Sequence, residues 1–393
     1  MNRRKFLKAG ALGALGAGTI GAMGAEGLGR TAPDEATGTE EQPRIRKYNI
    51  LGKTGLKVSD ISMGIAREPS VYHFALDQGV NFFDTAETYY DGQHERDVGR
   101  AFKKLRDKVL ITTKHHLDPR KPPTKKELIE RFDKSLERLG FDYVDIAMWH
   151  MVEDEALFKN EEILSAYETL KKAGKFRFMG FSTHKADKIC PPAYDSGLFS
   201  AVMLIYNSVQ YPDRGKHMAR AKELGIGTIA MKTMGGREQD HLTELAGKRT
   251  TYSQAAIKWA LTDKDVDNVV ITMRTFEHVE EYLQASGKKL TAQEEQVLKK
   301  YVKAVDHRYC RIGCTLCHAS CPHDVAVNDI MRFGMYYENY GEEKKAMLEY
   351  ASLAGARRAD PCKACTGVCE SACPHKLKIR DRLVKYDDIL RLC

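Results

Sequence analysis

Two sets of side chains in this 393-residue chain have the types and spacing to do chemistry. Eight of the ten cysteines lie between Cys310 and Cys373, in two runs. One is Cys310, Cys314, Cys317 and Cys321 followed by Pro322; the other is Cys362, Cys365, Cys369 and Cys373 followed by Pro374. Both runs end Cys-Pro-His, their last cysteines are 52 residues apart, and an aspartate (Asp329, Asp381) follows eight residues beyond each. Thiols crowded into one stretch imply a localised metal or disulfide site, not a framework stapling the whole chain. Cys190, between apolar and proline residues, reads as a buried thiol, and Cys393 as a bystander. The second set is dispersed. Asp84, Lys114 and His150 end apolar runs and Tyr89 follows the first of them. Carboxylate, ammonium, imidazole and phenol are the groups that exchange protons with a substrate.

The elements that must position the second set form a regular alternation. Apolar runs occur at Ile61–Ile65, Asn81–Thr85, Val109–Lys114, Val144–His150, Phe176–Ser182, Ala201–Asn207, Gly227–Met231 and Asn268–Met273. Between them lie helical patterns, such as Leu128, Ile129, Phe132, Leu136 and Leu139, opened by Thr124 and Glu127 in capping-box register. Ile163, Leu164, Tyr167 and Leu170 mark another. Eight strand–helix units in about 240 residues predict an α/β fold, a (β/α)8 TIM barrel. The rival, a doubly wound sheet binding a dinucleotide, lacks its Gly-x-Gly-x-x-Gly after the first strand. Barrel chemistry sits at the carboxyl ends of strands, and parallel neighbours are about 4.8 Å apart. The ends of strands two, three and four therefore bring Asp84, Tyr89, Lys114 and His150 together. Each has a structural alternative: Asp84 as a helix cap, Lys114 as a solvated rim charge, His150 as a satisfied core imidazole. The coincidence of all four at adjacent strand ends favours a site.

These residues fall in segments that resemble the aldo/keto reductase family. The segment Gly79-Val80-Asn81-Phe82-Phe83-Asp84-Thr85-Ala86-Glu87-Thr88-Tyr89, continuing to Glu95, is similar to its signature. So are Leu51 to Ser59, Leu139 to Asp145 ending in His150, and Met179-Gly180-Phe181-Ser182, so that the resemblance spans roughly residues 47 to 286. It implies a catalytic tetrad of Asp84, Tyr89, Lys114 and His150. Tyr89 would protonate a carbonyl oxygen, Lys114 would lower its pKa, Asp84 would hold Lys114, and His150 would orient the substrate. The implied hydride source is NADPH across the barrel mouth. Ser182 stands at the family's carboxamide contact, Thr183 where Asn is usual, Arg274 within reach of a cofactor phosphate, and Glu280 and Glu281 at adenosine-side positions. Met203 and Met231 replace a Gln and an aromatic, and Ile271-Thr272-Met273-Arg274 lacks the usual Pro-Gly.

The tail resembles two-cluster bacterial ferredoxins, with one extra residue between Cys310 and Cys314 and another between Cys365 and Cys369. The resemblance implies two 4Fe-4S clusters. One would use Cys310, Cys314, Cys317 and Cys373, the other Cys362, Cys365, Cys369 and Cys321. Zinc and disulfides are the competing readings. Tyr336, Tyr337, Tyr340, Met347, Leu348 and Tyr350, between the runs, read as packing.

The start, Asn2-Arg3-Arg4-Lys5-Phe6-Leu7-Lys8 followed by an Ala- and Gly-rich stretch, resembles a twin-arginine (Tat) export signal. It predicts passage through the Tat translocase to the periplasm or another extracytoplasmic space. The expected organisation is signal 1–29, disordered linker 30–46, barrel 47–290 and a small α-rich ferredoxin-like iron–sulfur domain 291–393. With 62 Lys and Arg against 54 Asp and Glu, a formal charge of +8 excludes a dedicated nucleic-acid binder. The expected protein is an exported oxidoreductase acting on a small carbonyl or alcohol, with an external electron carrier as partner. The competing expectation is an electron-transfer or structural iron–sulfur protein whose barrel has lost nicotinamide binding.

Overall fold

A two-stranded antiparallel hairpin, β1 (Tyr48–Ile50) and β2 (Lys57–Ser59), precedes eight parallel strands. These are β3 (Ile61–Met63), β4 (Phe82–Asp84), β5 (Leu110–His116), β6 (Val144–His150), β7 (Phe176–Thr183), β8 (Ala201–Ile205), β9 (Gly227–Met231) and β10 (Asn268–Ile271). They close into a barrel in chain order, β10 pairing with both β9 and β3. The computed structural model describes residues 42–392 except 67, 210–213 and 236–248; the export signal and most of the linker expected from the sequence lie outside the described residues.

All eight expected barrel strands are present, with differences at their ends that bear on the site. β5 runs two residues past Lys114, because His115 and His116 continue the ladder opposite Trp149 and His150 of β6. Strands β3 and β10 stop short of the expected Ile65 and Met273. There the Gly64 amide donates to Ile271 O at 2.8 Å, and Gly64, Ile65 and Thr272 go on to line the mouth. Alternation along the strands sorts the core. Phe82, Ile146, Met148, Met203 and Ile229 fill the barrel interior, which Leu51, Leu56 and Val58 of the hairpin segment close from below. Phe83, Ala147, Trp149 and Phe181, one residue out of phase, pack under the helices with Phe132 and Tyr167. The helix Lys125–Leu139 begins with the expected Thr124–Glu127 capping box and ends at Gly140 with φ +67°.

The C-terminal segment carries the helices Ala292–Val305, Val327–Tyr340, Glu343–Ala351 and Ile379–Leu390. It shares a core with the barrel, in which Leu298, Tyr301, Val305 and Tyr309 pack with Ile205, Tyr252, Ala255 and Ala256. Residues from Glu41 to the C-terminus accordingly form one compact unit. The internal repeat is visible in the backbone. Asp324 and Lys376, three residues after the last cysteine of each run, both adopt φ 52°, and the helices beginning at Val327 and Ile379 follow. The extra residue of the first run lies where the tail docks. Arg214 donates to Ile312 O at 2.7 Å, and Gly313, with φ +81°, leaves no room for a Cβ beside the His184 carbonyl oxygen. We expect Gly313→Ala to cost about 2–4 kcal/mol, from left-handed strain plus overpacking. A fall in the urea midpoint checks it; an unchanged midpoint would show that this contact does not hold the tail.

Candidate active site

The carboxyl ends of β4, β5 and β6 bring the four expected residues into one neighbourhood. Lys114 is 1% exposed and donates to Asp84 Oδ1 at 2.5 Å and to Thr85 O at 2.6 Å. Its Nζ lies 4.8 Å from the centroid of the Tyr89 ring. The Tyr89 and His150 rings meet edge to face at 5.8 Å, and the Thr88 hydroxyl is 3.5 Å from His150 Nδ1. Glu87 and Glu95 hold the surrounding loop and helix. Glu87 pairs with Arg131 and accepts from the His116 amide at 3.0 Å, while Glu95 accepts from Arg138 and Thr113, each at 2.6 Å. Tyr90 and Asp91, directly after Tyr89, and Met151, directly after His150, all have φ between 51° and 54°. Such left-handed conformations in non-glycine residues cluster at functional sites.

Electrostatics divides the roles. Burial pushes the Asp84 carboxyl up and the Lys114 ammonium down, each shift opposed by the partner's charge. Burial and then Lys114 hold His150 well below the usual imidazole value, so its ring is neutral and can donate one N–H to an oxygen. Burial and then the Asp84 charge push the Tyr89 phenol well above its ordinary value. The expectation that Lys114 lowers it is therefore not met, because Asp84 neutralises that ammonium. Among the described residues the Tyr89 hydroxyl has no hydrogen-bond partner, although the residue lines an open cleft.

That cleft, of about 620 Å³, is bounded by the barrel mouth and by the helices Val327–Tyr340 and Glu343–Ala351. Its size suits a small ligand or a cofactor headgroup. Asp84, Tyr89, Met203, Met231 and Arg274 line the barrel side, with Lys232 directly after β9. Of the residues expected to bind a cofactor, Arg274 lines this cleft, and its buried Nε has no hydrogen-bond partner among the described residues. Ser182 Oγ accepts from the Met151 amide at 3.0 Å. Thr183 is buried and its hydroxyl donates to Val152 O at 2.7 Å, so it braces β7 internally. Glu280 is exposed on the helix Phe276–Leu283 and Glu281 half-buried beside it, and neither lines the cleft. Tyr336 and Lys232 are cleft residues that sequence reasoning missed. Tyr336 packs in the core that the tail shares with the barrel, as its helical spacing leads one to expect, and also lines the cleft, which spacing alone does not reveal.

The cysteines of the two runs lie close together, and Cys317 senses Cys369 of the second run before Cys314 of its own. Burial, then Cys314, Cys317 and Cys373, push the Cys310 thiol up to about 12. Burial, then Cys321, Cys369 and Cys365, do the same to Cys362. Cys321, Cys362, Cys365 and Cys369 also line one small cavity. Asn328 Nδ2 donates to Cys310 Sγ and the Gly367 amide to Cys365 Sγ, both at 3.4 Å. The nine described cysteines are free, and among the described residues no three His, Cys, Asp or Glu close tightly on a single point where one ion would sit. Cys190 is buried, its thiol pushed up to about 12 by burial.

Barrel, buried Asp–Lys pair, tyrosine and neutral histidine at one mouth form a site equipped to exchange protons with a substrate oxygen. Residues 66–240 match the sequence profile of the Aldo/keto reductase family. The chain is 25% identical over 303 residues to the L-glyceraldehyde 3-phosphate reductase of Escherichia coli K12, covering 61% of this chain and 87% of that one. It is 31% identical over 193 residues to a Schizosaccharomyces pombe protein described as a voltage-gated potassium channel subunit beta; the match covers 44% of this chain and 56% of that one. A solved aldo/keto reductase from Klebsiella pneumoniae, in complex with NADP and acetate, has the same fold. Its TM-score is 0.55 at 22% identity, covering 65% of this chain and 95% of that one.

Proposed function

We propose that the chain reduces a small carbonyl compound, such as a sugar aldehyde, or oxidises the corresponding alcohol, at the mouth of its barrel. The grouping of Asp84, Tyr89, Lys114 and His150 at the strand ends, beside a cleft that Asp84 and Tyr89 line, supports this reading. NADP(H), when bound, supplies or takes the hydride. Arg274 lines the cleft and its cation suits a phosphate, and Ser182 stands near the end of β7. His150 is neutral and donates to the carbonyl oxygen; Tyr89 delivers the proton; Asp84 and Lys114 hold the tyrosine's surroundings fixed and charge-balanced.

The tail is proposed to hold two 4Fe-4S clusters, which supply one-electron transfer to an external carrier. Cys310, Cys314, Cys317 and Cys373 would hold one, and Cys362, Cys365, Cys369 and Cys321 the other. The donor set fits. Crowded thiols oppose one another's ionisation, so each set becomes favourable as thiolates only around a cationic centre. The amide N–H groups aimed at Cys310 and Cys365 support thiolate sulfur in the same way. The twin-arginine start implies export after folding. Anaerobic purification is expected to yield iron and acid-labile sulfide in equal amounts, both reduced by Cys317→Ser or Cys369→Ser. Zinc without sulfide would overturn the assignment.

The second reading, a barrel without nicotinamide, draws on Thr183, whose hydroxyl is bound internally, and on Met203 and Met231 in the cleft wall. NADP co-purifying with the protein would eliminate it.

A further inference from the structure

The cleft holds a second tyrosine beside a lysine, and the two pairs are built differently. The tail helix Val327–Tyr340 buries Tyr336 to 3% exposure at the mouth, where Lys232 donates to its hydroxyl at 3.2 Å. Lys232 adopts φ 56° directly after β9. Among the described residues its ammonium has no carboxylate partner: it meets the Tyr336 hydroxyl and lies 5.0 Å from that ring's centroid. Two more cations face the ring. Lys345 lies 4.6 Å and Arg332 5.9 Å from its centroid. Glu342 pairs with Lys345 at 2.9 Å, while Asp329 at 3.2 Å, Glu349 at 3.8 Å and His184 at 3.0 Å contact Arg332. Tyr340 stacks on Tyr336 at 5.7 Å.

Among the described residues, the cation at Tyr336 without a carboxylate partner is thus the Lys232 ammonium. At Tyr89 there is no surplus, because Asp84 neutralises Lys114. Burial pushes the Tyr336 phenol up, but Lys232, Arg332 and Lys345 together outweigh it and leave it below the ordinary phenol value. Tyr89 goes the other way, and its phenol senses Tyr336 across the cleft. Two like groups whose environments push them apart are the usual basis of divided acid and base roles.

We propose that Tyr336, backed by Lys232, is a specificity-determining residue of this cleft that accepts a hydrogen bond from a hydroxyl group next to the substrate carbonyl. The substrate class is then hydroxyaldehydes and hydroxyketones, with Tyr89 at the carbonyl oxygen and Tyr336 at the second oxygen. This role rests on the carbonyl-reduction reading; the ionisation of Tyr336 does not.

Two measurements test it. In an ultraviolet tyrosinate titration of the purified full chain, one tyrosine should ionise ahead of the rest. That step should vanish in Tyr336→Phe and move to higher pH in Lys232→Met; an early step that survives Tyr336→Phe overturns the proposal. In NADPH-dependent turnover, Tyr336→Phe should lower the kcat/KM ratio of glyceraldehyde over propanal by about fivefold, the value of an ordinary hydrogen bond. Tyr89→Phe should lower both substrates alike. Activity on both aldehydes with an unchanged ratio in Tyr336→Phe sinks this inference alone. A wild-type protein inactive on both sinks the carbonyl reading, and this role with it.

Discussion

Tyr89→Phe is expected to lower kcat/KM for small aldehydes by about 10²–10⁴, the usual contribution of a positioned general acid, while leaving stability unchanged. The two halves of the prediction have separate grounds. Tyr89 lines the cleft and its hydroxyl makes no hydrogen bond among the described residues, so removing it breaks no such bond. The ring remains to pack edge to face on His94 and His150. Burial and the nearby Asp84 charge keep the phenol protonated throughout the physiological range, which makes it a donor waiting for an oxygen on which negative charge develops. NADPH consumption, measured beside a thermal melt, checks both parts. A variant within threefold of wild type would place the proton donor elsewhere. A melt lowered by several degrees would mean the hydroxyl has a structural partner.

Asp84→Asn is expected to cost about 3–5 kcal/mol at neutral pH, because it removes the carboxylate charge paired with the buried Lys114 ammonium. The pH dependence follows from linkage. Burial already holds the Lys114 pKa below the ordinary lysine value, and losing Asp84 removes the largest opposing effect. In the variant the folded lysine therefore gives up its proton at lower pH than the unfolded one. Between that lowered value and about 10.4, the ordinary lysine pKa, the unfolded chain binds more protons and stability rises with pH. Urea midpoints measured across this range check the sign; a variant that weakens as pH rises would contradict it. Adding Lys114→Met should recover part of the stability and none of the turnover, since it removes the unpaired charge without restoring the site.

Much of the barrel was legible because the strand signal is local. Val144–His150 and Gly227–Met231 are read from consecutive apolar residues, and the Thr124–Glu127 cap from a four-residue pattern. The endings were less legible. β5 passes Lys114 because β6 offers His150 and Trp149 as ladder partners, and a strand's length depends on its neighbour. The cofactor residues divide for a similar reason. Arg274 meets the cleft, whereas Thr183 turns its hydroxyl to Val152 O on a neighbouring segment.

The sequence by itself determined which residues can do chemistry: the eight cysteines, whose types and spacing give two four-thiol sets, and the polar residues at the ends of apolar runs. Only the tertiary structure decided that the tail shares the barrel's core and walls its mouth. It also decided that Asp84 neutralises Lys114, and that Lys232 meets Tyr336, 104 positions further along the chain. The physical reason is range. Spacing and alternation act over a few residues, but whether a charge is balanced or left in surplus depends on every segment that folds against it.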